Sequence, residues 1–103
     1  MKLNESMLSR EQLTKAAKVL KVLAHPVKLE ILQVLRDHPP MDVSSLCKSI
    51  GAECEISMMS HHLAKMKDNG VLESVKRGKQ VFYSIADRSL LSIFECMSKC
   101  ALI

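Results

Sequence analysis

The stretch from residue 57 to residue 79 carries polar groups and cations at spacings suited to contact with a nucleic acid. Met59, Leu63 and Met66 recur three and four residues apart, which predicts a helix with one buried face. The side chains predicted to point away from that face are Ser57, Met58, Ser60, His61 and Lys65. Small polar groups can hydrogen-bond to base edges, and a Lys ammonium can neutralise a phosphate. This helix therefore offers the groups that reading DNA requires.

A β-hairpin with a cationic tip is predicted directly after the helix. Asn69-Gly70 ends the helix, because glycine favours the left-handed conformation found just past a last turn. The pattern then changes to a period of two, in the sets Val71, Glu73, Val75 and Val81, Tyr83, Ile85. These two runs flank the basic segment 76–79, Lys-Arg-Gly-Lys, as the strands of a hairpin flank its turn. A polar helix followed at once by a basic hairpin indicates the recognition helix and wing of a winged helix-turn-helix.

Four cysteines are the other side chains with distinctive chemistry, namely Cys47, Cys54, Cys96 and Cys100. The N-terminus has no signal-peptide apolar segment and no run is long enough to span a bilayer, so we expect a cytoplasmic protein without membrane contact. A reducing compartment disfavours a disulfide framework. Each cysteine is therefore predicted to be core filler, a metal ligand or a redox thiol.

The positions of the cysteines favour different roles. Cys96 and Cys100 are predicted four residues apart on one face of the last helix. With a third ligand they could bind a thiophilic metal ion or metalloid, or they could be oxidised; the alternative is two small apolar interface residues. Cys54 falls in a turn, where an exposed thiol would act as a redox switch. Its acidic neighbours would raise the pKa of the thiol and slow its reaction, whereas a helix N-terminus would lower that pKa and speed the reaction. Cys47 is predicted on the inner face of a helix as core filler.

Length and composition predict one small, mainly helical domain. The chain has 103 residues, of which 48% are hydrophobic but only 3% aromatic, so its core must be aliphatic. The net charge of +4 favours a polyanionic partner, because much of it is clustered on the helix and hairpin described above. An enzyme is not expected, since the sequence shows no nucleophile with an oriented base, no Gly-rich phosphate loop and no carboxylate pair.

Start and stop signals predict the element order α1-α2-α3-α4-β-β-α5. The signals for helix starts are a capping box at Ser9, a first-turn proline at Pro26, and N-cap residues at Asp42 and Asp87. The predicted segments are terminal helices at 9–24 and 87–102, a helix-turn-helix at 42–70 and a wing at 71–86. The terminal helices carry apolar stripes beyond what the winged domain needs for its core. We expect them to pair across a twofold axis in a homodimer.

Three segments together resemble the ArsR/SmtB family of bacterial metalloregulatory repressors. They are residues 22–32 (VLAHPVKLEIL), residues 60–72 (SHHLAKMKDNGVL) and the wing at 78–84, and the similarity extends over residues 13–86. The resemblance implies a homodimer that binds an imperfect palindrome in double-stranded DNA and leaves it when an inducer binds. It also implies base-edge contacts by Ser57, Met58, Ser60 and His61, and phosphate or minor-groove contacts by Lys65, Arg77 and Lys79.

The sequence departs from that family at its sensor sites. The Cys-x-Cys of arsenic sensors is replaced by Asp42 and Ser44, and the zinc site is incomplete because Ser89 is not a ligand. The turn before the recognition helix is longer than the family's usual connection. His62 is expected to be a hydrogen-bonded structural histidine rather than a ligand. The inducer is thus left open between a metal ion and a thiol-reactive species.

Two other functions compete with the repressor. A winged domain can serve as a protein–protein dimerisation module without DNA binding, and a DNA-binding regulator can act without any inducer. Salt-dependent binding to DNA separates the first from a repressor, and a response of the DNA complex to metals or thiol reagents separates the second.

Overall fold

The computed structural model describes residues 7–51 and 54–103, which form helices packed beside a three-stranded antiparallel sheet. The elements are α1 (Arg10–Leu23), α2 (Pro26–Arg36), β1 (Met41–Asp42), α3 (Val43–Ile50), α4 (Ile56–Asp68), β2 (Leu72–Arg77), β3 (Gln80–Ile85), a 3₁₀ helix (Arg88–Leu91) and α5 (Ser92–Ser98). Residues 1–6 at the N-terminus and residues 52–53 in the turn before α4 lie outside the described residues, as do the predictions made for them.

The first three helices begin where the sequence signals place them. The Ser9 hydroxyl accepts from the backbone N–H of Gln12 at 3.1 Å, and the Gln12 side chain accepts from the Ser9 N–H at 2.9 Å. The His25 Nδ1 accepts from the Val27 N–H at 3.1 Å, which caps α2 just before its opening proline. The Asp42 carboxylate accepts from the Ser45 N–H at 3.1 Å at the start of α3. Local side-chain chemistry therefore sets these boundaries.

The core lies where α2, α3 and α4 meet. The fully buried side chains there are Ile31, Leu32, Leu35, Leu46, Met59, Leu63 and Met66. Three of them belong to α4, which confirms the buried face predicted from the spacing of its apolar residues. Val71, Leu72, Tyr83 and Ile85 extend this core under the sheet. The recognition helix is thus fixed from its inner side by aliphatic packing.

The sheet contains one strand more than the predicted hairpin. Strands β2 and β3 pair from Leu72 opposite Ile85 to Arg77 opposite Gln80, as a hairpin should. The short strand β1 pairs antiparallel with the other edge of β3, Met41 lying opposite Tyr83. Two residues are too few to show a period of two, so β1 could not be predicted from its residue pattern.

The predicted last helix was wrong in its extent. The Asp87 carboxylate accepts from both the N–H and the hydroxyl of Ser89, at 3.0 and 2.6 Å, and the Leu90 N–H bonds to the Asp87 carbonyl. These bonds shape a 3₁₀ turn first, and α5 proper spans only Ser92–Ser98. Cys96 therefore lies in α5 while Cys100 lies beyond its end, so the two do not share one helical face.

Candidate DNA-binding surface

The outer face of α4 presents the polar groups predicted for base contacts. Ser57 and His61 are exposed, and Ser60 is half-buried. Met58 is 53% exposed although it is apolar. Lys65 follows one turn after His61 on the exposed side. The structure therefore brings all five predicted residues of this helix to one accessible region, opposite the buried face.

The wing carries a second set of exposed cations. Gly78 has φ +62° in the two-residue turn between β2 and β3, a conformation that suits glycine in tight hairpins. Lys76, Arg77 and Lys79 are all exposed around that turn, and none forms an ion pair with a carboxylate of the described residues. Val75 on β2 is 57% exposed, since this strand leaves the core after its first residues. The outer end of the hairpin is thus free to meet a polyanion.

The wing is joined to the helix-turn-helix through Asp42. This residue pairs with Phe82 in the sheet, while its carboxylate caps α3. The same carboxylate accepts from the Gln80 side-chain amide at 2.9 Å, at the start of β3. Hydrogen bonds from Ser45, and then from Gln80, hold the pKa of Asp42 below its ordinary value. One carboxylate therefore ties the wing strand to the first helix of the helix-turn-helix.

The cysteines of the turn correct two predictions. Cys47 is buried in the core as expected, but it is bonded to Cys54 in a disulfide whose Cα atoms lie 5.4 Å apart. Cys54 is half-buried rather than exposed. The prediction of no disulfide relied on the compartment alone and did not account for the end of α3 and the start of α4 coming within bonding range.

His62 lies on the inner edge of α4, facing the start of α2. Its ring centroid is 4.9 Å from that of His25 and 6.4 Å from that of His61. The prediction of a hydrogen-bonded histidine was wrong for its Nδ1, which is buried and has no partner among the described residues. Burial lowers the pKa of His62, and the neighbouring charges of His25, Lys28 and His61 lower it further.

Comparison with known proteins identifies this arrangement. A family model described as a helix-turn-helix domain matches residues 23–75. The HTH-type transcriptional regulator YgaV of Escherichia coli is 33% identical over 78 residues, which cover 76% of this chain and 77% of that protein. This chain belongs to the ArsR/SmtB family of winged helix transcriptional regulators.

Two further ArsR/SmtB comparisons agree. The transcriptional repressor PagR of Bacillus anthracis is 29% identical over 82 residues, which cover 80% of each chain. The structure of HlyU from Vibrio cholerae superimposes with a TM-score of 0.76 at 25% identity, covering 92% of this chain and 100% of that one. The predicted winged helix-turn-helix fold is confirmed. Members of this family bind DNA and regulate transcription, and the protein is therefore not an enzyme.

The described part of the chain assembles no metal-binding sensor site. Within residues 7–51 and 54–103, no group of three or more His, Cys, Asp or Glu side chains could hold a metal ion. Cys96 is exposed and Cys100 half-buried, and both are free thiols. A thiophilic metal or redox role for this pair stays a prediction, since the third ligand was expected from outside the helix. No helix of the described residues is long and apolar enough to cross a membrane.

Proposed function

We propose that this protein is a homodimeric repressor that binds an imperfect palindrome in double-stranded DNA and leaves it when an inducer binds. The observation that carries the proposal is that the outer face of α4 and the tip of the wing both present accessible polar and cationic side chains. Helix and wing would contact adjacent grooves, as in winged members of the helix-turn-helix class. The name of PagR records repression by a relative of similar length. Such a protein acts in the cytoplasm, where the DNA is.

The dimer is supported by apolar surface that the single chain leaves uncovered. Leu13 is 55% exposed and Leu20 57% exposed on α1, and Met97 on α5 is 43% exposed. A pocket of about 460 Å³ between these helices has Leu20, Ile93, Cys96 and Met97 in its wall. Apolar residues at helical spacing in water favour association. A second copy related by a twofold axis would cover this surface and would present two recognition helices to successive major grooves.

The roles within the surface follow from chemistry. Lys65, Arg77 and Lys79 would bind phosphates, which provides affinity without sequence information. Ser57, Ser60 and His61 would hydrogen-bond to base edges, and Met58 would contact a thymine methyl group. The inducer would be a thiophilic metal ion or a thiol-reactive species that acts at Cys96 and Cys100.

Replacing one phosphate-binding cation tests the proposal. We expect Lys65→Ala and Arg77→Ala each to weaken binding to the promoter of the protein's own operon, because each removes a cation that displaces counterions. The slope of log affinity against log salt should become shallower by about one for each substitution. Fluorescence anisotropy with labelled duplex, measured over a range of salt concentrations, gives both quantities.

The matched control is Lys15→Ala. Lys15 is an exposed cation on α1 that pairs with Glu11, so its removal changes the net charge equally. It should leave the salt slope unchanged. If all three variants bind as tightly as the parent protein with the same salt slope, Lys65 and Arg77 do not contact DNA and the proposed mechanism fails. If the parent protein itself shows no salt-dependent binding to DNA, a dimerisation module becomes the better description.

A further inference from the structure

The disulfide between Cys47 and Cys54 spans the connection inside the helix-turn-helix. Cys47 lies in the last turn of α3, and Cys54 precedes the first residue of α4 by two positions. The Gly51 N–H bonds to the Cys47 carbonyl at 3.1 Å, and the Cys54 N–H bonds to the Gly51 carbonyl at 3.2 Å. The bond therefore attaches the start of the recognition helix directly to a residue of the core.

Little else anchors that start. Among the described residues between Ile50 and Met59, Cys54 alone is not exposed. Glu55 occupies the N-cap position of α4 but makes no capping hydrogen bond with its side chain. The first side chain of α4 that is buried in the core is Met59. Without the disulfide, the segment that carries Ser57 and Met58 would be held mainly by backbone hydrogen bonds at a frayed helix end.

Small reagents can reach the sulfur atoms. A pocket of about 430 Å³ is lined by Ser44, Cys47, Lys48, Gly51, Cys54 and Ile56. Its volume exceeds that of a small thiol, and the Lys48 ammonium would attract an anionic thiolate. Cys54 also lines a second pocket of about 400 Å³ on the side of His25 and His62. Because Cys54 is the more accessible of the two cysteines, its Sγ is the atom that a reagent would attack.

We propose that Cys47 and Cys54 form a reversible dithiol–disulfide site that reacts with small thiols and disulfides, and that the disulfide state binds the operator more tightly. This inference rests on the proposed function, whose recognition helix it regulates. With the disulfide closed, Ser57 and Met58 are already ordered before DNA arrives. With two free thiols, the same segment must be ordered on binding, and that cost lowers affinity.

Reduction of the disulfide between Cys47 and Cys54 needs two electrons, and a dithiol supplies both. A thiolate of reduced dithiothreitol attacks the Cys54 Sγ, the bond between the cysteines breaks, and Cys47 leaves as a thiolate that takes up a proton. The second dithiothreitol thiol then attacks the mixed disulfide and releases Cys54 as a thiol. Two electrons pass from dithiothreitol, which becomes a cyclic disulfide, to the cysteine pair. Oxidised dithiothreitol drives the same steps in reverse.

Operator binding at defined redox states tests the proposal. The full chain carrying Cys96→Ser and Cys100→Ser, which leaves only this pair, is equilibrated with mixtures of reduced and oxidised dithiothreitol. Maleimide labelling counts the free thiols, and anisotropy with duplex from the protein's own promoter measures affinity. We expect the reduced form to bind about tenfold more weakly, since tenfold is 1.4 kcal/mol and ordering one residue costs about that much.

The control adds Cys54→Ser to the same chain, which keeps Cys47 in the core. This variant should bind with the affinity of the reduced form at every dithiothreitol ratio. The proposal is overturned if no disulfide forms in oxidised dithiothreitol, or if both forms bind equally, or if the reduced form binds more tightly. If neither form binds the duplex while labelling still reports the disulfide, the proposed function itself fails.

Discussion

At the scale of single residues, the buried imidazole of His62 makes stability depend on pH. Its pKa lies below the ordinary 6.5, first because of burial and then because of the nearby positive charges. As pH falls below 6.5, the unfolded chain takes up this proton before the folded chain does, so the free energy of unfolding decreases. We expect His62→Asn to make the free energy of unfolding depend less on pH between about pH 7 and pH 5. Urea denaturation at each pH measures that free energy.

The comparison variant is His38→Asn, which removes an exposed imidazole at the end of α2. Its free energy of unfolding is measured over the same pH range, so that the effect of losing an imidazole as such can be subtracted. An unchanged slope in His62→Asn would show that burial does not perturb this ring.

Residue roles were predictable from the sequence only where they depend on local pattern. The period of Met59, Leu63 and Met66 predicted their burial, because helix geometry alone decides which side chains share a face. The link between Cys47 and Cys54 was missed, because it depends on how α3 and α4 pack across a turn. That His62 Nδ1 has no hydrogen-bond partner among the described residues was not predicted for the same reason: it depends on α2 lying beside α4.

At the scale of elements, Asp42 connects a helix to a strand. We expect Asp42→Ala to lower the midpoint of thermal unfolding and to weaken DNA binding, because it removes both the cap of α3 and the hydrogen bond to Gln80. The pKa of Asp42 is lowered in the fold, so its contribution is present above the unfolded value of 3.8 and is lost as pH falls through the folded value.

Two further variants separate the two bonds of Asp42. Asp42→Asn keeps a good capping side chain and should cost less stability than alanine. Gln80→Ala removes only the bond to the strand, so α3 should be as stable as before while the wing loses order in amide hydrogen exchange. Equal effects of Asp42→Ala and Gln80→Ala on thermal stability would show that the cap contributes nothing.

Element boundaries followed from the sequence when a side chain marks them. Capping groups and prolines placed the starts of the first three helices within a residue. The last helix was predicted too long, because its apolar spacing continues past Ser98. The hydrogen bonds of its first turn are those of a 3₁₀ helix, and the α-helical ones end at Ser98. The strand β1 depends entirely on pairing with β3, so no local signal existed for it.

At the scale of the whole molecule, the uncovered stripe on α1 should control assembly. We expect Leu20→Glu to raise the dimer dissociation constant by roughly a hundredfold, because an unpaired carboxylate buried in an interface costs several kcal/mol. Sedimentation velocity at several concentrations measures this constant, and affinity for the proposed palindromic operator should fall as the constant rises.

Val75→Glu is the matched control, since Val75 and Leu20 are both 57% exposed but Val75 lies on the wing. It should leave the dimer intact. A dimer that survives Leu20→Glu would place the interface elsewhere.

The pairing of β1 with β3 has a consequence for the DNA rather than for the protein. Since β1 leads directly into α3, and α3 packs against α4 in the core, the wing and the recognition helix would move as one body. If the distance between the wing and the recognition helix does not match the local groove width, the duplex must then deform to fit the protein. Operators should accordingly favour flexible pyrimidine–purine steps between the two contacts, even at base pairs that no side chain touches.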